Sequence, residues 1–379
     1  MDVLELARTI ISFHTESPAG NEEDLARFIH DYIHDMQLDG FTAELHRFEP
    51  KRANLIVRLG PSSAEPGLLL SGHIDTVPVG ELANWSHDPF GGEIEDGKMF
   101  GRGAADMKSG VAALLKSLEI LKGKKLSRRL IFIATAGEEN GCIGLNRIME
   151  DRKLLAGECK WGIDAEPTEM RVVRKHRGVT RFRVSLQGKN AHASTPEMGV
   201  NAIENASKFI EEIRRYRSRL NEEIDPELGA TVLPVTLFYG GVKGRYNVIP
   251  DSCEFFINCR RIPLHSADKV LADLIGISNR LSAEDTRFNA QITIEFNANT
   301  LEIPRESEFV KLAEKIVGGE SIAAPYATEA SIYTELGIPT IVLGPGSVEQ
   351  AHIIDEFVSA KQVERAVQAY EGMIGEICL

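Results

Sequence analysis

Histidine and carboxylate side chains that could bind metal ions or transfer protons are spread along this chain of 379 residues. The set consists of His73, Asp106, Glu138, Glu139, Glu166 and His352. Two divalent cations about 3.5–4 Å apart can be held by one bridging carboxylate, with one histidine and one further carboxylate on each ion. The chain supplies such a set in His73, His352, Asp106, Glu139 and Glu166. Paired cations polarise a carbonyl group and lower the pKa of water, so the natural reaction is hydrolysis of an amide.

Glu138 and Glu139 are adjacent and therefore cannot both face the same metal ion in the same way. One of the two carboxylates can bind metal while the other stays free beside it. A free carboxylate in that position can take a proton from water and pass it to a leaving amine. The alternative is a solvated acidic loop, with Glu166 as an ordinary turn residue before Pro167.

His73 follows the apolar run 68–70, which predicts a buried strand. Asp75 lies two residues further on, close enough to accept the second N–H of the imidazole ring and to fix its tautomer. A metal-bound histidine typically has such a partner. The alternative is a loop histidine beside a solvated aspartate.

Short apolar runs predict the strands that position most of these residues. They span residues 68–70, 130–134, 161–163 and 338–343, and helical patterns alternate with them. This alternation predicts an α/β fold with a mostly parallel sheet and helices on both of its faces. Ligands of such a sheet bind beyond the carboxyl ends of the strands, so the candidate residues are expected along that edge, with Asp106 at a helix start.

The middle of the chain does not follow this alternation. Strands are predicted at residues 181–186, 231–238 and 254–258, and a long helix at residues 201–220. We therefore expect an α+β domain at residues 177–298, inserted into a catalytic domain made of residues 1–176 and 299–379.

Composition and charge limit the classes of function. A hydrophobic content of 43% is that of a soluble globular protein, and a net charge of −13 argues against nucleic acid or an anionic membrane as the main partner. No stretch approaches the roughly 18 apolar residues of a membrane span, and the acidic N-terminus does not resemble a signal peptide. The five cysteines form no CxxC pair, which favours a reducing cytoplasm and a metal site of histidine and carboxylate.

The motifs that contain these residues resemble those of the co-catalytic metallopeptidase family, which includes acetylornithine deacetylases, succinyl-diaminopimelate desuccinylases, aminoacylases and glutamate carboxypeptidases. They lie at residues 72–78, 101–108, 137–139, 165–168 and 351–352, in the family's order over nearly the whole chain. The resemblance implies two divalent metal ions, zinc first, with cobalt or manganese as alternatives. It also implies that one ion is bound by His73, Asp106 and Glu166 and the other by Asp106, Glu139 and His352. Glu138 would be the general base, and Asp75 would orient His73.

In this family the inserted domain is a lid that usually carries a homodimer interface. His192 matches a lid histidine that stabilises the oxyanion, often in the partner's site; the alternative is a histidine in a surface turn. Asn247 matches a lid asparagine that contacts substrate.

Arg260 matches a lid arginine that binds substrate carboxylate, although Asn258 stands where the family has aspartate. Arg177 matches a position at the lid hinge, where its planar guanidinium could pair with a carboxylate. It also belongs to a basic run, which is typical of a solvated edge.

The segment Thr328-Glu329-Ala330 resembles that of acetylornithine deacetylases, whereas desuccinylases typically have Thr-Ser-Asp-Gly there. In this interpretation Glu329 contacts the distal ammonium group of the substrate. The expected reaction converts the small molecule Nα-acetyl-L-ornithine to L-ornithine and acetate, a step of arginine biosynthesis. Alternatives within the family are desuccinylation of succinyl-diaminopimelate, deacetylation of acetyl-lysine or acetyl-citrulline, and dipeptide hydrolysis. A catalytically silent amino-acid-binding protein would lack a ligand or base, and none is missing from this sequence.

Overall fold

The computed structural model describes residues 1–150, 155 and 157–379, which form two compact units. The first unit comprises Met1–Arg174, Ile303–Ile322 and Thr328–Leu379. The second comprises Lys175–Glu302 and the short segment Ala323–Ala327. The sequence prediction placed an inserted domain at residues 177–298 and did not include residues 323–327.

The helices are numbered in chain order. They are α1 (Val3–Ile11), α2 (Glu22–His34), α3 (Lys108–Ser117), α4 (Ile143–Glu150), α5 (Ala202–Leu220), α6 (Ala267–Glu284), α7 (Glu308–Val317), α8 (Ala330–Glu335) and α9 (Ala360–Cys378). Short 3₁₀ turns occupy Leu82–Asn84, Leu118–Leu121, Pro196–Met198 and Val348–Gln350. Among the described residues, no helix combines the length and the apolar character needed to cross a membrane.

The strands are numbered in the same way. They are β1 (Thr42–Glu49), β2 (Arg52–Leu59), β3 (Glu65–His73), β4 (Ile94–Glu95), β5 (Lys98–Phe100), β6 (Arg128–Thr135), β7 (Cys159–Asp164), β8 (Val173–His176), β9 (Gly178–Gln187), β10 (Ala191–His192), β11 (Ile224–Asp225), β12 (Gly229–Ala230), β13 (Val235–Gly240), β14 (Val248–Ile249), β15 (Ser252–Arg261), β16 (Asn289–Ala298), β17 (Leu301–Glu302), β18 (Ile322–Ala324), β19 (Thr340–Val342) and β20 (Phe357–Ser359).

A sheet with the strand order β1-β2-β6-β3-β7-β19 forms the centre of the first unit. Strand β3 is parallel to β6 and β7, and β7 is parallel to β19, whereas β2 pairs antiparallel with both β1 and β6. Apolar residues of β6 are buried on both faces, as expected of a central strand in a sheet covered by helices. The predicted α/β fold with a mostly parallel sheet is confirmed.

The helices that cover this sheet supply side chains to the hydrophobic core of the first unit. Leu145 of α4 and Tyr333 of α8 pack on Ile56, Leu69 and Ile131 of the sheet. Helices α3 and α9 contact β3 and also contact each other. The sheet is therefore held between helices, and its carboxyl edge is where β3, β6, β7 and β19 all end.

The second unit contains an antiparallel sheet with the strand order β13-β15-β9-β16. Residues alternate between buried and more exposed along β9 and β15, as in a sheet with one covered face. Phe182 and Phe255 on the covered face pack with Phe209 of α5 and Leu274 of α6. The opposite face carries Arg181 and other polar side chains.

Candidate metal centre

The carboxyl edge of the first unit's sheet brings together the side chains that were predicted to bind metal. His73 is the last residue of β3, and Glu139 follows β6 in the next loop. Glu166 follows β7, and His352 follows β19. Asp106 lies just before α3. Because these strands are parallel, their ends meet at one edge, and residues far apart in sequence become neighbours there.

Two groups of three ligand atoms form at this edge. His73, Asp106 and Glu166 each offer one atom to the first group, and Asp106, Glu139 and His352 to the second, with all atoms of a group within 4.8 Å of one another. His73 Nε2 lies 2.9 Å from Asp106 Oδ1 and 3.5 Å from Glu166 Oε1. His352 Nε2 lies 2.9 Å from Glu139 Oε1 and 3.4 Å from Asp106 Oδ2. Asp106 therefore presents a different oxygen to each histidine and is shared by both groups.

The segment that follows Asp106 packs closely against the end of β3. The Asp106–Met107 peptide bond is cis, and the Met107 sulfur lies 3.3 Å from the backbone nitrogen of His73. A Cβ at Gly72 would lie 2.7 Å from Met107 Cε and 2.9 Å from Val111 Cγ2. Any larger residue at position 72 would thus force the side chains of Met107 and Val111 to move.

The charges at this edge perturb each other strongly. Burial alone would lower the pKa of His73, but the carboxylates of Glu166 and Asp106 raise it well above its ordinary value. Hydrogen bonds to the carboxylates of Asp106 and Glu139 raise the pKa of His352 to about 10. Burial raises the pKa of Glu166, and the Asp106 carboxylate raises it further. Without a metal ion, the two histidines therefore carry protons that partly neutralise the carboxylates.

The donor set fits divalent metal ions. Each group has one imidazole nitrogen and two carboxylates, a mixture suited to zinc, cobalt or manganese. Buried carboxylates that outnumber their histidine partners need additional positive charge, which cations would supply in place of the protons.

Asp75 lies behind His73 and is fully buried. The nearest acceptor for His73 Nδ1 is the backbone carbonyl of Asp75 at 3.0 Å, and the carboxylate oxygen Oδ1 is 3.6 Å away. The carboxylate accepts the backbone N–H groups of Glu138 at 3.0 Å and Glu139 at 3.2 Å. Although burial opposes it, hydrogen bonding lowers the pKa of Asp75, so its side chain is an anion that anchors the loop of the two glutamates.

Glu138 belongs to neither ligand group, although its neighbour Glu139 does. Burial raises the pKa of Glu138 well above its ordinary value; the charge of His73 opposes this shift, and the carboxylates of Glu139 and Glu329 add to it. The Cys142 sulfur lies 3.7 Å from Glu138 Oε1. Glu138 is thus a carboxyl group with strong affinity for a proton beside the candidate metal ligands.

Two residues that orient Asp106 were not identified from the sequence. Glu356 Oε1 accepts the backbone N–H groups of Ala105 at 2.8 Å and Asp106 at 3.0 Å, and Glu356 Oε2 lies 2.6 Å from Arg102 Nη1. Arg102 and Glu356 are 254 positions apart, so no local pattern connects them.

Glu329, predicted to contact substrate, is only 1% exposed. Its Oε2 accepts the Thr135 hydroxyl at 2.7 Å, while Oε1 has no hydrogen-bond partner among the described residues. Burial raises its pKa to about 8, and the Asp164 carboxylate contributes.

His192 and Asn247 lie close together in the second unit. Strand β10, which ends at His192, pairs with β14, and the N–H of Ala193 donates to the carbonyl of Asn247 at 2.9 Å. The N–H of Ser194 donates to His192 Nδ1 at 3.2 Å. Because Nδ1 is the acceptor there, the proton of the neutral ring is on Nε2, which makes that nitrogen a hydrogen-bond donor.

The second unit also gathers three arginines. Burial lowers the pKa of Arg260, and the positive charges of Arg177 and Arg181 lower it further. Arg177 donates from Nη2 to the carbonyl of Leu228. Within the part of the chain that the structure describes, none of the three forms an ion pair with a carboxylate. A group of guanidinium ions without counter-ions is suited to binding an anion.

Comparison with known proteins agrees with the fold and the motifs. The model of a family described as peptidase family M20/M25/M40 matches residues 69–376. An acetylornithine deacetylase of Erwinia tasmaniensis is 33% identical over 345 residues, which cover 89% of this chain and 88% of the relative. An acetylornithine deacetylase of Shigella sonnei is 32% identical over 390 residues, covering 99% and 97%. The crystal structure of an M20 family metallo-carboxypeptidase from Sulfolobus solfataricus superposes with a TM-score of 0.78 at 19% identity, covering 99% of both chains, and shows the shared fold.

Proposed function

The chain belongs to peptidase family M20/M25/M40 and is a metal-dependent amide hydrolase, and on that basis we propose that it removes the acetyl group from Nα-acetyl-L-ornithine. The products are L-ornithine and acetate. The observation that carries the hydrolytic chemistry is the pair of ligand groups that share Asp106, with the proton-binding carboxyl group of Glu138 beside them.

In this proposal two divalent cations would complete the site, and zinc is the preferred candidate. His73, Asp106 and Glu166 would hold one ion, and Asp106, Glu139 and His352 would hold the other. Bound at these ligands, divalent cations polarise a carbonyl group and lower the pKa of water.

Glu138 is the general base in this proposal. It accepts a proton from the attacking water and passes it to the amine that leaves, so that the amide carbon–nitrogen bond breaks and a carboxylic acid forms. Its raised pKa favours the first of these steps, because a carboxylate that binds protons strongly takes one up readily. The backbone of the Glu138 loop is held by Asp75, which keeps the base in place.

The family resemblance assigns substrate-binding roles to residues of the second unit as well. His192 donates from Nε2 to the oxygen that becomes negatively charged, a role supported by the hydrogen bond that fixes its tautomer. Asn247 is adjacent to it and contacts substrate. Arg260, with Arg177, pairs with the substrate's α-carboxylate.

Acetylornithine is favoured as the substrate because two relatives that match nearly the whole chain have that activity in their names. The distal ammonium group of ornithine needs an acceptor, and Glu329 Oε1, which has no hydrogen-bond partner among the described residues, is one.

Desuccinylation of a dicarboxylic substrate is the second candidate, and the arginine group favours it. Arg177, Arg181 and Arg260 offer more positive charge than one carboxylate neutralises. A substrate with a second carboxylate, such as N-succinyl-diaminopimelate, would use that charge.

We also propose a homodimer that forms through the second unit. Strand β13 is an edge strand of its sheet, and Leu237, Phe238 and Tyr239 on it are 50%, 42% and 58% exposed. Exposed apolar residues on a sheet edge are typical of a pairing surface. Light scattering should give a dimer for the wild type and a monomer for Leu237→Glu; a monomeric wild type would refute this proposal.

Steady-state hydrolysis tests the proposed reaction. With zinc or cobalt added, kcat/KM should be higher for Nα-acetylornithine than for N-succinyl-diaminopimelate, acetyl-lysine, acetyl-citrulline or a dipeptide, and a chelator should abolish turnover. Glu138→Gln should lower kcat by about 10²–10⁴-fold at unchanged metal content. The control is Glu349→Gln, which changes an exposed carboxylate in the loop before His352. Preference for the succinylated substrate would favour the second candidate, and full activity of Glu138→Gln would refute the mechanism.

A further inference from the structure

A buried ion pair lies behind the candidate metal centre, and the mechanism above does not use it. Arg52, the first residue of β2, is 3% exposed, and Glu22, the first residue of α2, is fully buried. Arg52 Nη2 lies 2.7 Å from Glu22 Oε1, and Arg52 Nε lies 3.1 Å from the same oxygen. Both charges are therefore removed from water and bound to each other through two N–H groups.

Stability alone is a poor reason for such a pair. Removing two charges from water costs free energy that their attraction offsets only in part, and well-packed apolar residues often serve as well. For Glu22 the burial outweighs the pairing, since its pKa is raised even though Arg52 acts to lower it. If the pair has a role other than stabilisation, the residues that it contacts must indicate that role.

Arg52 is connected to the metal centre by a chain of hydrogen bonds. Its Nη2 donates to Ser17 Oγ at 3.3 Å, and the Ser17 hydroxyl donates to Asp75 Oδ2 at 2.9 Å. The Asp75 carboxylate in turn accepts the backbone N–H groups of Glu138 and Glu139. The chain thus runs from a distant ion pair to the backbone of the proposed base and of a proposed ligand.

Arg52 also packs directly against the loop of the two glutamates. A Cβ at Gly137 would lie 2.6 Å from Arg52 Nη2. A Cβ at Gly20 would lie 2.2 Å from Glu22 Oε2 and 2.9 Å from Arg52 Nε. Both glycines lie so close to the ion pair that a side chain at either position would force its groups to move, so the loop that begins at Gly137 is in direct contact with the guanidinium.

We propose that the Arg52–Glu22 ion pair is a positioning element of the metal centre. Through Ser17 it orients Asp75, and through Asp75 it fixes the backbone that places Glu139 beside His352. Arg52 and Ser17 act through other residues and do not touch substrate. The inference rests on the proposed function, because it assumes that Glu139 and His352 bind a metal ion.

Two variants separate this role from general stability. Ser17→Ala keeps the ion pair and removes the link to Asp75. Arg52→Lys keeps the charge but cannot bond to Glu22 and Ser17 with a planar fork. The matched control is Arg58→Lys, since Arg58 lies on the same strand and pairs with Glu158 at 3.0 Å, away from the metal centre.

Cobalt binding and amide exchange are the measurements. Full-length protein is stripped with chelator and titrated with Co²⁺, and binding is followed by visible absorption. Loss of a residue that orients metal ligands typically weakens binding about 10–100-fold, and we expect this for Ser17→Ala and Arg52→Lys. In the metal-free protein, the backbone amides of Glu138 and Glu139 should exchange faster in both variants, with other amides unchanged. Arg58→Lys should leave affinity and exchange at the wild-type values.

Wild-type affinity and exchange in both Ser17→Ala and Arg52→Lys would overturn the inference. An equal loss of affinity in Arg58→Lys would also overturn it, because the effect would then be general. A wild-type protein that does not bind Co²⁺ would refute the proposed metal centre and, with it, this inference. Tight wild-type binding with unaffected variants would refute the inference alone.

Discussion

Gly137 directly precedes Glu138, and its replacement by alanine tests how tightly the loop of the proposed base is packed. Its φ of +76° lies in the left-handed region, which costs a residue with a Cβ about 1–2 kcal/mol. A Cβ there would also lie 2.4 Å from Ile143 Cγ2 and 2.6 Å from Arg52 Nη2. Both contacts are too short to persist, and moving the guanidinium would break its hydrogen bond to Glu22.

The size of the effect follows from these two contributions. Overpacking of a closely packed site costs about 1–3 kcal/mol, so Gly137→Ala should lower the free energy of unfolding by about 2–5 kcal/mol in total. Gly123 is the matched control, since its φ is +72° and a Cβ added there would meet no atom of the described residues within 4 Å. Gly123→Ala should therefore cost only the backbone contribution of about 1–2 kcal/mol.

Urea unfolding of the metal-free protein, followed by tryptophan fluorescence, measures this difference. Trp85 and Trp161 are the only tryptophans of the chain and both lie in the first unit, so the signal reports on the unit that contains Gly137. After metal is added, Gly137→Ala should also lower kcat, because the shifted loop carries Glu138, whereas Gly123→Ala should not. Equal free energies of unfolding for the two variants would refute the packing argument.

Three further predictions concern charge and metal. Asp106→Asn should reduce the bound zinc, measured by elemental analysis after dialysis, at both ligand groups; a retained complement of two ions per chain would contradict the shared role of Asp106. Zinc binding at neutral pH should release protons, because His73 and His352 are protonated in the metal-free state, and calorimetry in two buffers of different ionisation enthalpy detects this release. An enthalpy independent of the buffer would contradict it. The pKa of Glu329 is about 8 in the folded protein against an ordinary value of 4.5, so the folded state binds the proton more tightly and wild-type stability should fall as the pH rises between these values. Glu329→Gln lacks this loss. Between pH 5 and pH 8.5 the urea midpoint of the metal-free wild type should therefore fall relative to that of metal-free Glu329→Gln. Parallel pH profiles of the two midpoints would contradict the assignment.

Much of the candidate site could be predicted because its residues follow apolar runs. A central strand of a parallel sheet is buried on both faces, and the run at residues 130–134 shows this burial directly in the sequence. The carboxyl ends of such strands meet, so the sequence alone predicts that His73, Glu139 and Glu166 lie at one edge. Their roles as metal ligands stay predictions, as do the roles of His192, Asn247 and Arg260.

Other features could not be predicted, because they depend on contacts between distant segments. The Arg102–Glu356 pair spans 254 positions, and the Ser17–Asp75 hydrogen bond spans 58. Sequence reasoning placed the Asp75 carboxylate on His73, whereas in the structure the backbone carbonyl of Asp75 is closer to the ring. Which of two acceptors lies nearer depends on the path of the loop, and residue type does not specify that path.

Periodicity and residue type are local properties, and they were enough to predict the α/β fold class and to propose a set of residues able to bind metal. The family resemblance already implied the two ligand groups and the Asp106 that they share, whereas the burial of Glu329 against Thr135 is visible only in the tertiary structure. It alone revealed the ion pair of Arg52 and Glu22 behind Asp75. These contacts form where segments distant in the sequence pack closely together. Which residues become neighbours there depends on the three-dimensional path of the chain, and the order of residues alone does not specify that path.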